Sequence, residues 1–303
     1  MTKHKPADKI QDIQYFGEFG GINPSITDSS TFTYLEGRTM EEVFGGEREG
    51  CYLYSRHTNP STGYLAQAIA NMENTEAAQV AASGMGAISS AILQICGSGD
   101  HIVSSRTIYG GTYALMKNFL PKLNIQTTFV NTTDINAIES AISDRTRLIY
   151  LETMSNPLLE IADLNAVSQL AKKHNLNLVV DNTFTPLIFS PSEMGADVVI
   201  HSLTKFINGA SDTVGGVICS SKEFIHSLID VNTGASMLLG PTMDALRANS
   251  ILKNMRTQGH VLSFFRIMGE LKVTNFRKFS VTLSSPIILK NRRISPVPRC
   301  PLH

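Results

Sequence analysis

The chain has 303 residues, 42% hydrophobic and 17% charged, and its 26 basic and 26 acidic side chains cancel. That length accommodates one large domain, or a large and a small one, each with its own core. No basic stripe crosses the first 250 residues, which argues against nucleic acid or a membrane surface as partner.

Residues 1–57 read as an amino-terminal arm. Gly17, Gly20, Gly21, Gly45, Gly46 and Gly50 break it into turns, and no helical or strand period emerges. Phe16, Phe19, Phe32, Tyr34, Phe44, Tyr52 and Tyr54 are too many aromatics for a solvated tail. The arm is expected to pack on another surface, a second subunit included. It also lacks the apolar core of a secretory signal, and no apolar run in the chain reaches the ~18–20 residues of a membrane span. A cytoplasmic protein is the expectation.

Residues 58–256 read as a large α/β domain. Short apolar runs at 77–81, 101–104, 126–130, 148–152, 176–181, 198–202 and 214–219 alternate with amphipathic stretches at 85–96, 134–142 and 164–174. Such alternation predicts parallel strands joined by crossover helices in an open sheet, with ligands at the carboxyl ends of the strands. Ser83, Glu152, Asp181 and Ser202 fall at those ends. The four cysteines form no C-x-x-C pair and the histidines are dispersed, so neither a disulfide framework nor a metal site is predicted.

Four places in this domain could carry chemistry. Gly84 and Met85 open a helix after a strand, where close backbone approach and free N–H groups suit an anion; taken alone, a plain strand–helix connection is the more frequent explanation. Tyr109 stands near a helix start, as a stacking ring, a proton donor or a core wall. Asp181 ends a very apolar strand, where a buried carboxylate needs a cation or several donors, unless it is an N-cap or turn aspartate. Lys205 follows the run at 198–202, with Ser202 and Thr204 before it and a glycine turn after it. Set among apolar residues, its amine would become a nucleophile able to form a Schiff base; the alternative is a lysine snorkelling at a strand end.

Residues 257–303 are different. After Glu270 no acidic residue occurs, while Lys272, Arg277, Lys278, Lys290, Arg292, Arg293 and Arg299 accumulate among prolines. Either this is a basic tail for an acidic partner, or the reading frame changes near 263–271; a truncated or out-of-frame segment is the favoured expectation.

Six motifs, in order and at matching spacing, resemble the pyridoxal-phosphate enzymes of cysteine and methionine metabolism, the trans-sulfuration family. They are Tyr54-Ser-Arg56-His-Thr-Asn-Pro60, Ser83-Gly-Met-Gly-Ala87, Tyr109-Gly-Gly-Thr112, Glu152-Thr-Met-Ser-Asn-Pro157, Val180-Asp-Asn-Thr-Phe184 and His201-Ser-Leu-Thr-Lys205. The resemblance implies a fold type I, aminotransferase-like large domain with a mostly parallel sheet. It implies pyridoxal 5'-phosphate carried covalently on Lys205, with Asp181 at the pyridine nitrogen and Asn156 at the ring hydroxyl. Gly84, Met85, Ser202 and Thr204 would hold the phosphate. Tyr54 and Arg56 would reach it from a neighbouring subunit, in a dimer of active sites that assembles as a homotetramer. Tyr109 would stack on the ring and act as acid toward the leaving group.

The sequence departs from the family pattern at Ala210, Leu203 and Ser61, none of which removes a proton-handling group. The wording of Gly37-Arg-Thr-Met-Glu-Glu-Val-Phe44 and of 51–57 is most similar to the methionine γ-lyase branch; Gly111 takes the place of a cysteine found in other γ-lyases. The implied reaction is γ-elimination on L-methionine or a related sulfur amino acid, releasing 2-oxobutanoate, ammonia and a thiol. γ-Replacement on the same scaffold is the alternative, and an inactive cofactor-binding or assembly-only chain is another. Family members continue into a small domain with an arginine that grips the substrate carboxylate, and nothing in 271–303 matches it.

Overall fold

The computed structural model describes residues 21–45, 50–156 and 158–256, and the backbone of 271–274 and 280–283. The basic stretch beyond 283, Pro157 and the first twenty residues of the arm lie outside the described residues.

In chain order the elements are α1 (Gly37–Phe44), α2 (Pro60–Glu73), β1 (Ala77–Ala81), α3 (Gly84–Ile95), β2 (His101–Ser105) and α4 (Gly110–Ala114). They continue with β3 (Gln126–Val130), α5 (Ile135–Ala141), β4 (Thr146–Glu152), α6 (Leu164–Lys173), β5 (Asn177–Asp181), β6 (Val198–Ser202) and β7 (Gly216–Ser220). The last are α7 (Lys222–Ile229), α8 (Ala235–Leu239), α9 (Ala245–Met255), β8 (Leu271–Thr274) and β9 (Ser280–Leu283), with short helical turns after α4 and before β6. All seven strands expected in the large domain form, within a few residues of their predicted ends. The helices start where side-chain oxygens satisfy first-turn amides: Ser83, Asp134 and Asp163 cap α3, α5 and α6.

The seven strands make one sheet in the order β1-β7-β6-β5-β4-β2-β3. β2 to β6 are mutually parallel and β7 runs antiparallel to both β6 and β1, so the sheet is mostly parallel, as the resemblance implied, with one antiparallel strand that strand–helix alternation alone did not predict. The physical reason is the connection. β6 and β7 are joined by a loop without a crossover helix, and a parallel neighbour requires such a crossover.

Strand periodicity divides the core between the two faces. Tyr150, Val179, Val198 and Ile200 pack with Ile88 and Ile92 of α3 on one side. On the other, Val199 and Val217 meet Leu65, Ile69 and Met72 of α2 and Ile251 and Leu252 of α9. Leu151, Leu178 and Val180 pack on Val167 and Leu170 of α6. The central strands β4, β5 and β6 are therefore largely apolar on both faces, which leaves chemistry to their ends.

One polar cluster interrupts this core. α2 ends on Glu73, 1% exposed, whose Oε1 lies 2.6 Å from His201 Nε2 and accepts from Asn182 Nδ2 at 3.0 Å. His201 precedes Ser202 and Asn182 follows Asp181, so the cluster locks the ends of β5 and β6 together. Glu73→Ala would leave two buried donors without their acceptor. It is expected to cost about 3 kcal/mol of stability, read from urea unfolding.

Candidate active site

The carboxyl ends of β4, β5 and β6 and the turn after β1 form one mouth. Glu152 and Asp181 are register partners on adjacent parallel strands, and Ser202 pairs with Gly216 of β7. At one side the turn Ser83–Gly84 is pressed against Ser202. A Cβ on Gly84 would lie 2.9 Å from Ser202 Cβ and 3.1 Å from its Oγ, so only glycine permits this approach. Ser83 Oγ accepts from Gly86 N at 3.0 Å, and Ala87 N donates to Ser83 O. The N–H groups of Gly84 and Met85 then remain to be met from outside the helix, beside the Ser202 hydroxyl: a cradle for an anion at a helix N-terminus. Gly84→Ala forces that contact apart and is expected to cost about 1–3 kcal/mol and to weaken anion binding, measured by thermal melting with and without phosphate.

Thr204 is close by in sequence, but its hydroxyl is engaged by Gly215, accepting from Gly215 N at 3.1 Å. Ser202 is held by its own amide, which donates to Thr183 Oγ1 at 2.8 Å.

The floor of the mouth carries two carboxyl groups. Asp181 is 8% exposed; its Oδ1 accepts from Thr183 N at 2.9 Å and its Oδ2 from the buried Tyr150 hydroxyl at 3.4 Å. It therefore closes a turn after β5 and caps no helix. Glu152, equally buried, accepts from Tyr109 N on Oε1 at 2.7 Å and from Asn156 N on Oε2 at 3.0 Å. Burial raises the Asp181 pKa, and burial together with the charge of Asp181 pushes Glu152 up to about 7. Among the described residues neither forms a salt bridge. A buried carboxylate so placed is a seat for a cation, and the neighbouring cradle is a seat for an anion. A protonated pyridine ring bearing a phosphate fits this pair of seats.

Tyr109 opens α4 and is 49% exposed. Its ring lies over Gly111, where an added Cβ would stand 2.5 Å from Tyr109 Cε1 and 3.2 Å from Met85 Sδ. Gly111 thus lets the tyrosine fold against Met85, and through it against the anion cradle.

Lys205 departs from its expected setting. It is exposed in the single chain, whereas Leu203 and Ile207 on either side are buried. The strand ends at Ser202, and in the following turn Leu203 and Ile207 enter the core while Lys205 is left exposed.

Tyr54 and Arg56 are not brought into the mouth by contacts with its residues. Arg56 Nη1 donates to Met237 O at 2.7 Å, and its guanidinium carbon stands 5.6 Å from the Tyr54 ring. Part of the arm folds back on its own chain rather than reaching away. Thr27 N donates to Ser61 Oγ at 2.9 Å, Asn59 Nδ2 donates to Thr27 O at 2.9 Å, and Thr31 bridges Tyr54.

Sequence reasoning placed Glu152 at a strand end but gave it no task, and it passed over Tyr150 and Thr183. The signal for Glu152 was available. It ends an apolar strand exactly as Asp181 does, and the same cost of burial applies.

Known proteins bear on this site. The family model described as Cys/Met metabolism PLP-dependent enzyme matches residues 9–262. A methionine gamma-lyase of Arabidopsis thaliana is 46% identical over 246 residues, which cover 79% of this chain and 56% of that protein. An L-methionine gamma-lyase of Treponema denticola is 37% identical, over 79% of this chain and 60% of that protein. Among solved structures, cystathionine gamma-lyase from Lactobacillus plantarum, complexed with L-serine, superposes with a TM-score of 0.76 at 28% identity, covering 90% of this chain and 71% of that one. The chain thus spans 56% and 60% of the length of the two curated relatives.

Proposed function

The chain belongs to the Cys/Met metabolism pyridoxal-phosphate-dependent enzymes, and from that premise we propose that it is a carbon–sulfur lyase acting by γ-elimination on L-methionine or a related sulfur amino acid. The observation that carries the choice of reaction is the 46% identity to a methionine gamma-lyase. Bound pyridoxal phosphate supplies an electron sink for charge that develops at the amino acid's α-carbon.

The chain's own residues would do the rest. Gly84, Met85 and Ser202 bind the phosphate, with Thr204 bracing the turn behind Ser202. Asp181 holds a proton on the pyridine nitrogen, and Asn156 meets the ring hydroxyl. Lys205, exposed just beyond β6, would hold the cofactor and carry the proton removed from the α-carbon. Tyr109 covers the ring and delivers a proton to the departing sulfur. Water enters and 2-oxobutanoate, ammonia and a thiol leave. Tyr54 and Arg56 serve the mouth of a second copy, so the working form is a homo-oligomer, a dimer of sites within a tetramer. In that assembly 1–57 is the linking arm and 58–256 the cofactor domain. Among the described residues no helix is long and apolar enough to cross a membrane, and we place the protein in the cytoplasm.

The test is to load the purified chain with pyridoxal phosphate and supply L-methionine. Release of 2-oxobutanoate with methanethiol supports the proposal. Homocysteine from O-acetylhomoserine and sulfide, without oxo acid, would replace it with γ-replacement. A bound cofactor with no turnover on either substrate would leave an assembly-only protein.

A further inference from the structure

Two segments that flank the end of β4 meet on a single carboxylate. Tyr109 stands at the head of α4, reached from β2, and Asn156 stands in the loop that leaves β4. Glu152 accepts one backbone N–H from each, at 2.7 Å on Oε1 and 3.0 Å on Oε2. The same two segments touch again nearby, where Thr107 Oγ1 donates to Glu160 Oε2 at 2.8 Å. That second contact is only part-buried, whereas Glu152 is buried. Hydrogen bonds to an ionised acceptor are about twice as strong as neutral ones.

We propose that Glu152 is a positioning residue that clamps the Tyr109 wall to the Asn156 wall and so sets the width of the cofactor slot. The proposal rests on the cofactor reading given above. Glu152 itself touches neither ring nor substrate in this account; it acts through two backbone amides.

The groups facing Glu152 make the clamp responsive to charge. Asp181 faces it from β5, the Tyr150 phenol lies on its own strand, and the amides of Tyr109 and Asn156 complete its surroundings. Among the described residues no basic side chain forms an ion pair with it. With burial and Asp181 holding its pKa up to about 7, the carboxylate that accepts both amides is the form present above that pH. Below it, a proton on one oxygen faces an amide and one of the two bonds is lost. A cation seated against Asp181 would offset that repulsion, the smaller of the two causes after burial, and so favour the ionised form. Cofactor binding and clamp closure therefore reinforce each other.

The experiment compares wild type, Glu152→Gln and Glu152→Ala as full chains. Amide hydrogen exchange at Tyr109 and Asn156 is followed without cofactor at pH 8 and pH 6, and pyridoxal phosphate is titrated at both. Glutamine keeps the shape and one acceptor oxygen but sets an NH₂ against the other amide. In wild type both amides should be protected at pH 8, and at pH 6, after correction for intrinsic exchange, protection should fall at one or both of them, since the proton can sit on either oxygen. Glu152→Gln should be loosened at both pH values and bind the cofactor about tenfold more weakly at pH 8, with the wild-type pH difference much reduced. Unchanged protection of both amides in the variants overturns the clamp. So does loosened exchange with undiminished cofactor affinity. Should Glu152→Ala fail to fold, the isosteric variant and the wild-type pH comparison still decide. A wild type that takes up no cofactor sinks the functional reading instead, and exchange alone then judges whether Glu152 ties the two walls.

Discussion

Lys205→Ala is expected to give a folded protein with no covalently held pyridoxal phosphate and turnover at least ~10²-fold lower, since proton transfer by a placed side chain alone contributes about 10²–10⁴-fold. Stability should hardly move. Lys205 is exposed, and the residues that anchor its turn are the buried Leu203 and Ile207, which the substitution leaves in place. Surface replacements of this kind stay within about 0.5 kcal/mol. Borohydride reduction followed by intact mass measurement reads the covalent bond; thermal melting reads the fold. Turnover at the wild-type rate in a variant with no adduct would remove Lys205 from the proposed chemistry. The exposure of the amine adds a second expectation. If apolar surroundings are needed to lower its charge, a second copy or the cofactor must supply them, so adduct formation should depend on protein concentration as assembly does.

Asp181→Asn is expected to separate the apoprotein from the loaded form. In the chain alone Asp181 is a buried carboxylate that meets the Thr183 amide and hydroxyl and one long phenol bond, and its pKa is raised by burial. A group whose folded pKa is raised stabilises the fold fully only below its unfolded pKa, and that contribution is lost as pH rises through the folded value. As pH rises through that folded value the ionising side chain becomes a burden on the apoprotein. Asparagine removes the burden while keeping an oxygen for Thr183 N. The variant without cofactor should melt no lower than wild type at pH 8. The loaded form should behave oppositely, because a cation left without its buried partner costs about 3–5 kcal/mol, or roughly 10²–10⁴-fold in affinity or rate. Cofactor titration and melting curves with and without pyridoxal phosphate measure both halves. A variant that loses apoprotein stability but keeps cofactor affinity would show Asp181 to be a turn residue only.

The two substitutions probe residues that the sequence exposed for different reasons. Asp181 was visible because a charge at the end of Leu178-Val-Val cannot be an ordinary surface group, and the structure agrees: it is buried and forms no salt bridge among the described residues. Lys205 was visible by its motif, yet the physical reason attached to it, an apolar setting, does not hold in the single chain. Glu152 shows the reverse. It was present in the sequence with the same strand-end signal as Asp181, but its task depends on amides from segments more than forty residues apart in one case and four in the other. Backbone donors leave no mark in a sequence, so no pattern could assign them.

By itself, then, the sequence determined what local chemistry determines. Apolar runs of strand length, capping residues such as Ser83 and Asp163, and glycines at the anion turn fix where strands and helices form. The order of six motifs fixes the family. What only the tertiary structure decided is what depends on contacts between distant segments. The antiparallel β7 follows from a connection without a crossover helix, and the pressure of Ser202 on Gly84 follows from how β6 and β7 seat against the β1–α3 turn. The folding of the arm onto Asn59 and Ser61, and the convergence of Tyr109 and Asn156 on one buried carboxylate, are also of this kind. Hydrophobic period is written into neighbouring residues, whereas the pairing of buried polar groups is settled only when the whole core closes around them and water is no longer available as a partner.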